Sequence, residues 1–126
     1  MKNVDVVCAV IKRKGKYLIS KRVNDRKWEF LGGKIEYGET REVALHRELL
    51  EEINCESIIG GVIFTNFIWL DSNTSISLHF YSVELLDINI SIDNLSHTEH
   101  RWVIKEDMSN YDFMDGDLEF IKYMLL

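Results

Sequence analysis

The chain has 126 residues, 46% of them apolar and 29% charged, which points to one folded domain spanning 1–126 and excludes the profile of a disordered chain. Fifteen Lys and Arg against 21 Asp and Glu leave a formal charge of -6. That excludes steering toward nucleic-acid polymers, and a small anionic ligand would need local cations or a bound metal. Two cysteines, Cys8 and Cys55, with no CxxC or Cys/His cluster, suggest reduced thiols, and the early sequence lacks an apolar stretch of signal or membrane-span length. A cytoplasmic protein with no membrane partner is therefore expected. Proline is absent where average use of about 5% predicts roughly six, so any motif that ordinarily contains one must be altered here.

Along the chain, Val4 to Ile11 is a continuous apolar, β-branched run, followed by the polar turn Lys12-Arg13-Lys14-Gly15-Lys16 and a second run, Tyr17 to Ile19. This predicts a hairpin. A polar loop from Val23 to Lys27 leads to Trp28-Glu29-Phe30-Leu31 and then Gly32-Gly33, where missing side chains let a loop bend and approach something closely. Thr40 is a candidate N-cap, and Arg41 to Ile53 holds no Gly or Pro and many strong helix formers, which predicts a helix. Ile58 to Leu70 and Ile76 to Leu86, separated by Asp71-Ser72-Asn73-Thr74, predict a second hairpin in a mixed sheet. Asp87 to Ser96 is polar and irregular, Arg101 to Ile104 reads as a short strand, and Leu118 to Leu126 as a C-terminal helix. Without repeats or low-complexity segments, these elements belong to one α/β (α+β) unit.

The predicted helix carries the chemistry. Glu48, Glu51 and Glu52 fall within an arc of roughly 100° because i, i+3 and i+4 are helical neighbours. Val43, Leu45, Leu49, Leu50 and Ile53 are expected on the opposite, inward side. Three crowded carboxylates need a positive partner, and oxygen ligands without His or Cys suit Mg²⁺ or Mn²⁺ rather than zinc. Acids on an amphipathic helix are otherwise commonly its solvated face.

The surrounding spacing is more specific. Gly33, five residues, Glu39, seven residues, then Arg47-Glu48-Leu49-x-Glu51-Glu52 resembles the Nudix hydrolase box, G-x5-E-x7-R-E-U-x-E-E-x-G-U with U apolar. One fixed position departs: Asn54 stands where the box has Gly, followed by Cys55 at the apolar position. Asn is the next-best residue for the left-handed conformation that ends helices, so a modest stability cost is expected. The wider segment Trp28 to Thr40 is similar to the W-E-F-P-G-G-K-I-E-x-G-E-T of the MutT-like branch, with Leu31 in place of the proline.

The resemblance implies a Nudix α/β/α sandwich, a mixed β-sheet between helices, and substitution by water within a diphosphate joined to another group. By position it makes Glu48 and Glu52 the main metal ligands and Glu51 a further ligand or water contact. The Gly32 carbonyl becomes another oxygen ligand, Glu48 a candidate general base, and Arg47 the partner that orients Glu39. Many members add a carboxylate from a late loop; Glu99 is the nearest candidate, with Ser96 at that position in the alternative alignment.

For the substrate, the resemblance places Phe30 along the nucleobase pocket, Arg22 at a phosphate- or sugar-contacting position and Asp115 on the base edge, the other reading of Asp115 being an N-cap for the last helix. Trp28, Trp69, Trp102 and His79 read as core or pocket wall, and His97 and His100 as surface or packing residues. The expected activity is Mg²⁺-dependent hydrolysis, with Mn²⁺ as substitute, of an oxidised purine or pyrimidine nucleoside triphosphate to the monophosphate and pyrophosphate, by a monomer or homodimer. The alternatives are another nucleoside diphosphate derivative (ADP-ribose, a nucleotide sugar, a dinucleoside polyphosphate) or a nucleotide-binding module without catalysis.

Overall fold

The long apolar run near the start serves two cores at once. In the computed structural model, which describes residues 1–87, 89–91 and 95–126, β1 (Lys2–Arg13) lies inside the sheet with both faces covered. Side chains alternate across a strand, so Val7, Ala9 and Ile11 enter one apolar cluster while Cys8 and Val10 enter the other. That is why the run shows no polar alternation. It continues through the expected hairpin to β2 (Lys16–Arg22), paired antiparallel with Lys12 opposite Tyr17.

The rest of the sheet is built around these strands. β3 (Trp28–Glu29) pairs with β2, and β4 (Gly32–Lys34) runs antiparallel to β1 with Cys8 opposite Gly32. The second hairpin is β5 (Ser57–Trp69) and β6 (Thr74–Leu85), with register shifts around Gly60 and Gly61. β6 lies parallel to β1, so the sheet is mixed. The order is β3-β2-β1-β6-β5, with β7 (His97–Val103) on β2. A short 3₁₀ helix (Lys105–Asn110) follows. Of the irregular 87–96 segment, residues 88 and 92–94 lie outside the described residues.

One helix covers each face, completing the α/β/α sandwich. α1 (Arg41–Ile53) packs Ala44, Leu45, Leu49 and Ile53 into the first cluster. Thr40 caps it, accepting the Val43 N–H at 3.1 Å. α2 (Asp115–Met124) packs Phe120 and Ile121 into the second, where Phe30, Phe80 and Phe120 contact one another edge-on or stacked. Among the described residues, no helix is long and apolar enough to cross a membrane.

Several boundaries differ from expectation for physical reasons. The Gly32-Gly33 loop is a strand, because a Cβ on Gly32 would lie 1.9 Å from the Val7 carbonyl oxygen; only glycine allows this approach. α2 begins three residues earlier than its apolar pattern suggested. Gly116 enters its first turn against Leu78, where a Cβ would be 2.9 Å from the leucine. The N-cap is Met114, so Asp115 is the first helical residue and not the cap. On α1, Val43 and Leu50 are exposed and Glu52 is buried: the inward face is rotated toward the acids.

Asn54 ends α1 in the left-handed conformation (φ 51°, ψ 46°), its N–H donating to the Leu50 carbonyl. Asn54→Ala is expected to cost about 1 kcal/mol, the penalty of that conformation for a residue with an ordinary Cβ, and Asn54→Gly to cost nothing. Urea unfolding of both variants checks this.

Candidate active site

The two glycines of β4 set the geometry. The Gly32 N–H, held against β1, donates to Glu52 Oε1 at 3.1 Å, which fixes a carboxylate that is only 7% exposed. At Gly33 a Cβ would lie 2.4 Å from Glu48 Oε1, so the missing side chain is the space in which the Glu48 carboxylate rests. A turn of α1 and a strand edge are thereby joined through two acids.

Arg47 balances part of this charge. Its guanidinium grips Glu39 with two hydrogen bonds, Nε to Oε2 at 2.7 Å and Nη2 to Oε1 at 2.9 Å, the paired geometry that suits this ion pair best. Nη1 donates to Glu48 at 2.9 Å and reaches Glu51 at 3.4 Å, and Nη2 also donates to the Lys34 carbonyl. Arg47 thus pairs with Glu39 and also faces the acids. The Arg47 bonds draw the Glu39 carboxyl below its usual range. Glu48 behaves oppositely: burial pushes its pKa up, outweighing the pull of Arg47. Glu51 is the exposed member of the three. Glu48 and Glu51 are turned toward Arg47, and among the described residues no three His, Cys, Asp or Glu side chains converge on one point.

Beside the acids opens a cleft of about 720 Å³. Phe30 lines it, buried within the aromatic cluster, stacked on Phe113 and edge-on to Phe120. Arg22 lines it as well, bonded to Asp25 and Glu29 at 3.2 Å each. Trp69 forms an exposed part of the wall, whereas Trp28 is buried and Trp102 packs half-buried against the first cluster. Asp115 stands exposed at the cleft rim. His79 is buried, contacting Asp5 at 3.0 Å.

Glu99 does not join the carboxylates. Lys21 is its partner across β2 and β7, which places it on the face opposite α1, where it pairs with Arg101. Three residues without an assigned role do come to the site. Asp117 lines the cleft with 3% exposure, and burial pushes its pKa well above the usual range although the Phe30 N–H donates to it. Glu29 lines the cleft between Arg22 and His97. His97, expected at the surface or in packing, is buried between Glu29 and Glu52. The helical period carried one signal: Asp117 lies three and four residues before Phe120 and Ile121, on the apolar stripe. Cys8 also lines the cleft, but burial and the neighbouring acids raise its thiol pKa, so it stays protonated.

A mixed sheet thus lies between two helices, and the glycine strand β4 holds two glutamates of α1 beside an aromatic-lined cleft. The NUDIX domain model matches residues 1–124, and the chain belongs to that family: it is a Nudix hydrolase. It is 32% identical to the CTP pyrophosphohydrolase of Escherichia coli strain K12, over 97% of this chain and 91% of that one. The solution structure of the E. coli ORF135 protein superposes with a TM-score of 0.84 at 30% identity, covering 99% of this chain and 90% of that one. The MutT protein of Methanosarcina mazei Go1 shares the fold, with a TM-score of 0.85 at 19% identity over 97% of this chain and 92% of its own.

Asp117 gives a signed pH dependence. Its pKa is raised in the folded state, so above about pH 3.9, the unfolded value, the unfolded chain releases a proton that the native state keeps. Stability from this group therefore falls as pH rises from there through the folded pKa. Asp117→Asn should melt at a higher temperature than the parent near pH 7, the gap closing below about pH 4; melting curves across this range check it.

Proposed function

We propose that the chain is a single-domain, MutT-like nucleoside triphosphate pyrophosphohydrolase, converting an oxidised purine or pyrimidine triphosphate and water to the monophosphate and pyrophosphate. The observation that carries this reading is the pair Glu48 and Glu52, held on the Gly32-Gly33 strand at the end of an aromatic cleft. A volume of 720 Å³ lies in the usual range for small-molecule sites, about 300–1,000 Å³.

The donor set fits a hard divalent cation. Glu48, Glu51 and Glu52, with the Gly32 carbonyl, offer only oxygen, and Glu48 is uncomfortable as an anion in its half-buried place. When bound, Mg²⁺, with Mn²⁺ as substitute, offsets phosphate charge and acidifies water. The residues of this chain do the rest. Glu48, its pKa raised, is suited to accept a proton from the attacking water. Arg47 holds Glu39 and keeps Glu48 in its rotamer. Arg22, Lys27 and Lys34 line the cleft and supply the cations that a phosphate chain needs in a protein of charge -6.

Base choice falls to the two acids of α2. Asp117, in its neutral form, both donates and accepts, a complement to the N3 and 4-amino edge of cytosine, and Phe30 closes the apolar side. The E. coli relative is a CTP pyrophosphohydrolase, which supports placing cytidine triphosphates first. Asp115, exposed at the rim, is assigned to the base edge.

Two outcomes are expected. Glu48→Gln and Glu52→Gln each lower kcat by at least about a hundredfold, the scale of losing a general base or ligand, with folding intact by circular dichroism; near-normal turnover in both sinks the metal site. In a screen of common and oxidised triphosphates with pyrophosphate identified as product, Asp117→Leu, which removes donor and acceptor alike, changes the substrate ranking more than the best rate, whereas Asp117→Asn, which keeps both, preserves the ranking. Silence on all triphosphates removes the reading.

A further inference from the structure

β7 carries an irregularity that nothing in the hydrolase box requires. Ser20 faces His100 and Lys21 faces Glu99, but Arg22 faces His97 and not Thr98. Paired residues share a face of the sheet. Ser20 and His100 lie on the face that holds Leu18 and α1, their side chains 2.6 Å apart, and Lys21 and Glu99 lie on the other. Regular alternation would turn Thr98 toward α1 and His97 away. The extra residue reverses this, and re-aiming a side chain is a recurrent use of β-bulges near active sites. His97 therefore points at α1 and is 1% exposed.

What it meets there is unusual. His97 Nε2 donates to Glu29 Oε2 at 2.8 Å, and Nδ1 lies 3.5 Å from Glu52 Oε2, longer than a formed hydrogen bond. Among the described residues, Nδ1 has no other hydrogen-bond partner. Glu29 anchors the ring, being itself bonded to Arg22. Glu52 is bracketed on its other oxygen by the Gly32 N–H. A buried imidazole wedged between a cleft-wall acid and an acid of α1 is costly unless both contacts are used.

We infer that His97 is a positioning residue, which aims the Glu52 carboxylate through Nδ1 and ties it through Nε2 to Glu29 on the cleft wall. The inference rests on the proposed role of Glu52 as a metal ligand. Partners of this outer kind fix the direction of a ligand oxygen, and their loss costs roughly 10–100-fold in metal affinity or activity. It also gives the nucleotide cleft and the carboxylate row a direct mechanical link, through Arg22, Glu29, His97 and Glu52 in turn.

The two ring nitrogens can be tested apart. Glutamine places an amide nitrogen near Nε2 and nothing at Nδ1; asparagine places one near Nδ1 and nothing at Nε2; leucine removes both. Mn²⁺ binding to the full-length chain without nucleotide, followed by the free-Mn²⁺ electron paramagnetic resonance signal, is compared for the parent, His97→Gln, His97→Asn, His97→Leu and Glu52→Gln. Urea midpoints confirm folding, and the Gln and Asn variants carry the test if the leucine variant does not fold. The expected result is Mn²⁺ binding weakened on the order of tenfold or more in His97→Gln, and largely restored in His97→Asn. kcat should follow the same order, and the nucleotide KM should rise in His97→Asn while staying near the parent in His97→Gln. Binding within twofold of the parent in His97→Gln, while Glu52→Gln loses it, overturns the inference alone. Unchanged binding in Glu52→Gln overturns the ligand assignment itself and the inference with it.

Discussion

The arrangement depends on the contact between the backbone of β4 and that of β1. At Gly32 a side chain of any kind would meet the Val7 carbonyl, and the strand could not lie where its N–H reaches Glu52. One residue on, the space left by Gly33 is occupied by the Glu48 carboxylate. A steric allowance of two missing methyl groups thus sets the distance between strand and helix, and with it the place of both acids. Everything else at that end of the sheet accommodates this contact: the carbonyl of Leu31, fully buried, accepts the Ala9 N–H, and the Ile35 N–H donates to the Asp5 carbonyl, so β4 is clamped on either side of the glycines.

The helix that carries the acids is held by a different device. α1 is anchored inward by Leu45, Leu49 and Ile53, which leaves its rotation about its own axis to be settled by polar contacts. Arg47 settles it, binding Glu39 in the preceding loop, the Lys34 carbonyl in β4 and Glu48 on its own helix. One guanidinium therefore fixes loop, strand and helix together, and a lysine with its single ammonium could not reproduce the planar fork. The rotation so fixed explains why Glu52 is buried while Val43 and Leu50 face water, against the simple division of the helix into acidic and apolar sides.

What the sequence revealed divides along the same line. Elements whose signal is local were readable: the hairpin of β1 and β2, the hairpin of β5 and β6, and α1 with its Thr40 cap. β4 was not, since glycine has no preference for strands and its pairing is decided by the close approach to β1. The start of α2 was not legible either, because Asp115-Gly116-Asp117 has the composition of a turn, and only the packing of Gly116 on Leu78 lets it be helical. Within the site, Glu39, Arg47, Glu48, Glu51 and Glu52 stand at fixed spacing on one contiguous stretch and were legible. Glu29, His97 and Asp117 come from three separate elements, and nothing short of the fold, including the shifted register of β7, brings them together.

The energetics of that assembly run against stability. Glu48 remains raised in pKa despite Arg47 at 2.9 Å, so removing the carboxylate from water costs more than the ion pair returns. Asp117 is more buried and has Glu29 among the groups that raise it. A chain selected for stability alone would carry glutamine or leucine at such positions, as native proteins break local rules chiefly where function requires it. The unfavourable term is not lost. A group that is costly as an isolated anion gains more from a neighbouring cation than a solvated one does, because the low dielectric that penalises it also strengthens the attraction. The same half-burial that weakens the fold at Glu48 thereby sharpens its response to whatever positive charge enters the cleft, and ties the stability of this corner of the molecule to occupancy of the site.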